Sequence, residues 1–149
     1  MSRTSANFFN KLGLLIPGFK GYKSKEDLRE SDYQIRLYAK RVIEKLIDKI
    51  EKEKRYLDSD MFMEIDFHQK DLKITAMKIV NQKYGYKALF HNDSSEVHFE
   101  LLEKVISNDQ SLIELLEDVS DAFEVEPDSI KNLNNQLQKI IDNRENILD

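Results

Sequence analysis

Apolar positions recur along nearly the whole chain with the period of an α-helix. Over residues 6–16, Phe8, Leu12, Leu15 and Ile16 fall at helical spacing and Pro17-Gly18 halts the run, which predicts a short N-terminal helix. Ser24 followed by Asp27 is an acidic variant of the capping box, and it opens the first long helix. Leu28, Ile35, Ala39, Val42, Leu46 and Ile50 make its seam in steps of three and four, interrupted at Asp32 and widened by Ile43 and Ile47, to about residue 57. Asp58-Ser59-Asp60 supplies the next N-cap. A second long helix over 60–83 then carries Met61, Ile65, Leu72, Ala76 and Ile79 on one face, with His68 standing in the stripe.

Tyr84-Gly85-Tyr86 ends that helix, and a loop leads to Ser94 or Ser95, either of which can cap a third. Phe99, Leu102, Ile106, Ile113, Leu116 and Phe123 hold a heptad rhythm there, running through Asp109 and Ser120. Leu101, Val105, Leu112, Leu115, Val119 and Ala122 form a second stripe beside the first, so this helix is expected to touch partners on two sides and to sit centrally. Glu126-Pro127-Asp128 breaks the chain. Asp128 is expected to cap a last helix with Ile130, Leu133, Leu137, Ile140, Ile141, Ile147 and Leu148 on one face, packing on one side only.

This pattern predicts an all-α protein: an elongated antiparallel bundle of four long helices plus a short N-terminal one, since short connections between long helices favour antiparallel neighbours. A three-helix bundle with the last helix draped across it is the alternative. At ~1.5 Å per residue the first long helix alone approaches ~50 Å. One domain is expected over residues 1–149, divided into 1–23 (short helix and Pro-Gly turn) and 24–149 (the bundle). A chain of 149 residues buries enough surface to need no disulfide or structural metal.

Composition narrows the function. There is no cysteine, which removes disulfides, Cys-based zinc sites and thiol catalysis and points to a reducing, cytoplasmic setting. No apolar run nears the roughly 20 residues of a membrane span, and the N-terminal apolar stretch is too short for a secretory signal. Charge is divided unevenly: residues 1–25 hold five basic residues and no acidic one, while the other 18 of the 23 Lys and Arg share the rest with all 28 Asp and Glu. A body so acidic repels nucleic acid. The basic head, with Phe8, Leu12, Leu15 and Ile16 flanked by lysines, has the make-up of an amphipathic helix that lies either on an anionic membrane surface or on the bundle itself.

Pro17-Gly18-Phe19-Lys20-Gly21-Tyr22-Lys23, the following Arg29-Glu30-Ser31-Asp32, the later Tyr84-Gly85-Tyr86 with Phe90, and the stretch 108–119 together resemble the landmarks of an uncharacterised family of bacterial all-helical proteins. Ala88-Leu89 departs from the Gly-Phe of that pattern. The resemblance implies a bacterial helical domain and no established activity, so it assigns no catalytic residue and no cofactor.

Residues that could carry chemistry are few. Di-iron bundles need Glu-x-x-His pairs on two helices, whereas Glu64 and His68 are four apart and Glu96, His98 and Glu100 alternate; no metal site or catalytic residue follows. Phosphate-loop, His-Glu-x-x-His and Gly-x-Ser-x-Gly motifs are absent. Asp32, His68 and Asp109 each interrupt the seam of a different helix and are expected to form a polar layer, more as a device for helix register than for catalysis; the sharper alternative makes His68 a proton-sensitive switch held by an aspartate. Tyr84, Tyr86 and Phe90 crowd one loop, either plugging the bundle end or anchoring a partner.

These observations favour a non-enzymatic cytoplasmic interaction or adaptor module with a protein partner and no cofactor. A second copy of the chain is one candidate partner. A peripheral membrane protein, and an enzyme or ligand carrier with a site between helices, are the alternatives.

Overall fold

A computed structural model describes residues 3–21, 25–82 and 99–148. These residues form α1 (Arg3–Leu15), α2 (Lys25–Lys54), α3 (Ser59–Asn81), α4 (Phe99–Ala122) and α5 (Pro127–Leu148), and there is no strand among them. The protein is an all-helical bundle. The 30 residues of α2 make a rod of ~45 Å.

Local chemistry sets the helix ends. After α1, the Phe19 N–H bonds back to the Ile16 carbonyl across Pro17-Gly18, with Gly18 at φ 76°. A Pro followed by a residue at positive φ is the signature of a type II turn, and glycine takes that conformation without strain. Two carbonyls of this linker are tied to α2: Ser31 Oγ donates to Gly21 O at 2.6 Å and Gln34 Nε2 to Gly18 O at 3.0 Å. Bonds from Tyr56 N to Glu53 O and from Leu57 N to Lys54 O tighten the chain as α2 closes. Asp58 caps α3, its side chain accepting from Met61 N at 2.9 Å. The cap of α5 is displaced by two residues from its expected position. Pro127 is the first helical residue, where a missing N–H costs nothing, and the Glu126 carbonyl accepts from Ile130 N, so Asp128 lies inside the first turn.

Cross-links between helices give their directions. Arg36, early in α2, donates to the Gln82 carbonyl just past α3, while Lys54 at the other end of α2 reaches Asp66 and Gln69. These two helices are therefore an antiparallel hairpin. A second hairpin pairs α4 with α5, through Asn108 Nδ2 to Ile140 O at 3.2 Å and through Val119 and Ala122 facing Ser129 and Leu133 at the opposite end. The hairpins lie side by side with α2 along α4 and α3 along α5. Lys49 Nζ donates to the Phe123 carbonyl at 2.7 Å, and the side chains of Thr75 and Gln82 reach Asn134 and the Ile141 carbonyl. Chain direction thus alternates from helix to helix, and around the cross-section the order is α2, α3, α5, α4.

One core runs through the whole bundle, from Ile35, Ile43 and Ile50 on α2 through Ile79, Ile113 and Leu137. In α4 both apolar stripes are used, against α1, α2 and α5. The single apolar stripe of α5 serves two neighbours, α3 and α4, rather than one.

Candidate functional site

The most concentrated chemistry is a buried ionic cluster at the end of the bundle where α2 begins. Asp32 and Arg36 are one helical turn apart on α2, with Arg36 Nη2 at 3.1 Å from Asp32 Oδ2. Arg144 comes across from α5 and bridges two carboxylates, at 2.5 Å from Asp32 Oδ1 and 3.3 Å from Asp109 Oδ1. All four residues are buried. Asn108, next to Asp109, ties the same level of α4 to α5, accepting from Asn143 Nδ2 at 2.8 Å while its own amide donates to Ile140 O. Burial pushes the Asp32 carboxyl up from its ordinary value, against the pull of Arg144 and Arg36. The void beside Arg36, Asp109 and Arg144 measures about 10 Å³, which is the room of one water and not of a substrate. Two acids and two guanidinium groups in so closed a space make a structural clamp on three helices.

Of the expected polar layer, Asp32 and Asp109 meet in this cluster and His68 does not. The inward face of α3 runs Ile65, Gln69, Leu72, Ala76, Ile79, and Gln69 is the residue that interrupts it. His68 is half-buried beside Phe67, their ring centroids 5.5 Å apart. Its neighbour Gln69 bonds to Glu51 and Lys54, some 20 residues along α2 from Asp32, or ~30 Å at helical rise. Neither Asp32 nor Asp109 holds His68.

A second polar cluster clamps the α2–α3 hairpin. Buried Lys54 donates to Glu51 Oε2 at 2.7 Å, Asp66 Oδ1 at 2.9 Å and Gln69 Oε1 at 2.6 Å, and its ammonium stands 5.1 Å from the Phe62 ring centroid. Gln69 returns its amide to Glu51 at 2.9 Å and to the Ile47 carbonyl at 3.2 Å. The hydrogen bonds from Lys54 and then Gln69 hold the Glu51 carboxyl down at about 2. Burial pulls the Lys54 ammonium down, but its bonds to Glu51 and Asp66 outweigh that and leave it above its ordinary value.

The N-terminal helix lies on the bundle. Phe8, Leu12 and Ile16 are buried in the common core, Leu15 packs against it, and Lys11 meets Glu117 of α4 at 2.7 Å. A membrane contact through these side chains would require α1 to leave the bundle. Tyr84, Tyr86 and Phe90 lie outside the described residues, as do Ser94 and Ser95. No helix of the described residues is long and apolar enough to cross a membrane, and no group of three metal-binding side chains occurs among them. An open groove of about 400 Å³ lies between the end of α4 and the start of α5, floored by Leu115, Val119, Phe123 and Leu133 and edged by Asp118 and Glu124.

One surface stands out against this well-partnered interior. On α3, Met63, Phe67, Ile74 and Met77 are 68%, 64%, 53% and 61% exposed. With Lys70 they follow steps of four, three, four and three, a heptad stripe on the side of the helix away from the core residues Ile65, Leu72 and Ile79. Sequence reading places a single apolar face on α3, through Met61, Ile65, Leu72, Ala76 and Ile79, and assigns Met63, Phe67, Ile74 and Met77 to none, because Lys70 interrupts their own three- and four-residue steps.

No family model, curated protein or solved structure matches the chain.

Proposed function

We propose that this protein is a non-enzymatic, cytoplasmic interaction module that engages a protein partner through the outer face of α3. The observation that carries this reading is the exposed stripe of Met63, Phe67, Ile74 and Met77. Contiguous exposed apolar surface on a stable globule marks an interaction site far more often than single scattered side chains do, and methionine and phenylalanine are suited to filling the irregular gaps of a partner helix. The charged clusters support a structural rather than catalytic interior, since both are closed by their own ion pairs. The cysteine-free composition supports the cytoplasmic setting. A photo-reactive side chain placed at position 67 in the native host tests the reading. Adducts to a protein, self or other, that are lost when Met63 and Met77 are changed to glutamate support it; adducts that are insensitive to those changes, or no adducts at all, overturn it.

A further inference from the structure

The charges that flank the stripe say which partner fits it. Along α3 the stretch before Lys70 bears Asp60, Glu64 and Asp66, the stretch after Asp71 bears Lys73 and Lys78, and the oppositely charged Lys70 and Asp71 stand between them. Asp60, Glu64, Lys73 and Lys78 are exposed. An apolar stripe flanked by acid towards one end and by base towards the other, with Lys70 and Asp71 at its centre, is complementary to itself when a second copy is laid against it antiparallel. A parallel copy would set acid against acid. The apolar residues obey the same symmetry. Met63 and Met77, Phe67 and Ile74, Glu64 and Lys78, and Asp66 and Lys73 are each placed about evenly on either side of Lys70 and Asp71, so one twofold axis near that point satisfies all four pairs.

We infer that the partner of this face is a second copy of the same chain, paired antiparallel along α3 about a twofold axis near Lys70. The inference rests on the interaction reading above and adds the identity of the partner. Lys70 would lie close to its own symmetry mate, and its ammonium is already drawn to the edge of the stripe by Asp66, at 3.0 Å; its aliphatic stem is left to cover apolar surface. Size is consistent with a dimer of moderate strength. The four apolar side chains expose on the order of 400–500 Å² together, more than half of the ~800 Å² that each partner contributes to a standard interface, and the charged flanks supply more. The 23 residues of α3 give ~34 Å over which the two helices could run side by side.

Sedimentation equilibrium of the full chain between about 1 and 200 μM tests this directly. The expected result is a reversible monomer–dimer equilibrium that Phe67→Glu abolishes while helical content and melting of the monomer stay unchanged. Glu64→Lys should weaken dimerisation on the order of tenfold, because the twofold axis repeats each lost pair. Glu64→Lys combined with Lys78→Glu should restore most of it, since the swap rebuilds the complementarity only in the antiparallel arrangement. A double variant no better than the single one, or a dimer that Phe67→Glu leaves intact, overturns the inference. A chain that is monomeric throughout also overturns it, and the cross-link at position 67 then separates two cases: an adduct to a different protein leaves the interaction face standing with another partner, and no adduct removes both.

Discussion

Arg144 is a buried guanidinium that ties together two buried carboxylates. It bridges Asp32 of α2 and Asp109 of α4 from its place on α5. Removing one partner from a buried ionic cluster leaves charge uncompensated in a medium that solvates it poorly, at a cost of about 3–5 kcal/mol. Arg144→Ala is therefore expected to lower the urea unfolding free energy by about that amount, while Lys139→Ala, on the exposed side of the same helix, should stay within about 0.5 kcal/mol. Similar losses from both would show that the cluster is dispensable. The Lys54 cluster can be followed through the titration of Glu51. Glu51 is held at about 2, below its ordinary 4.5, by Lys54 and Gln69, so its contribution to stability is present above pH ~4.5 and is lost as pH falls towards 2. Glu51→Gln should be less stable than the native chain at pH 7, and the gap between their urea midpoints should close between pH ~4.5 and ~2. A gap unchanged over that window would refute the pairing.

At the scale of the element, α1 offers a sharp contrast within a single turn. Leu12 is wholly buried and Leu14 is 88% exposed. Leu12→Ala should cost about 2–5 kcal/mol through lost burial and the cavity left behind, whereas Leu14→Ala should be near neutral. Thermal melts of the two variants decide it, and equal shifts would mean that α1 does not rest on the bundle in solution. The helices themselves were legible from sequence because each carries its apolar stripe in three- and four-residue steps, and Asp58 and Pro17-Gly18 mark their ends by simple chemistry. The polar residues inside were only half legible. Asp32 and Asp109 interrupt otherwise apolar seams, and that signal found them. Arg144 continues the stripe Ile130, Leu133, Leu137, Ile141 at the next step, and Gln69 sits at the four-residue step between Ile65 and Leu72, yet both are long polar residues of the kind that ordinarily face solvent. Periodicity could have placed them; residue type argued against it. His68 was drawn into the stripe instead because it is one residue from the true position, and a 100° turn of the helix separates a core site from its shoulder.

The whole molecule is two antiparallel hairpins fused along two parallel seams, and that arrangement decides how it should unfold. Each hairpin has a polar clamp or amide tie of its own, Lys54 with Glu51 and Asp66 in the first and Asn108 with Ile140 in the second, so independent melting is a physical alternative worth testing. Against it stands the core. Buried residues from α1 to α5 form a single cluster, and separating the hairpins would expose the sides of Ile43, Ile79, Ile113 and Leu137 together. The Asp32–Arg144–Asp109 bridge also crosses from one hairpin to the other and would have to part as a set of bare charges. A hairpin that loses its neighbour thus loses more than it retains, and one core of this kind unfolds as a unit. The expected outcome in urea is a single transition in which far-ultraviolet dichroism, reporting helix, and tyrosine fluorescence, reporting the six tyrosines with half-buried Tyr38 among them, coincide, with one slope on the order of 1–3 kcal/mol/M. Leu12→Ala on α1 and Arg144→Ala near the other end of α5 should each move that whole transition without changing its slope. Fluorescence lost while half the helical signal persists would show that the hairpins are separate folding units joined only weakly. The shared core would then be a docking surface between them.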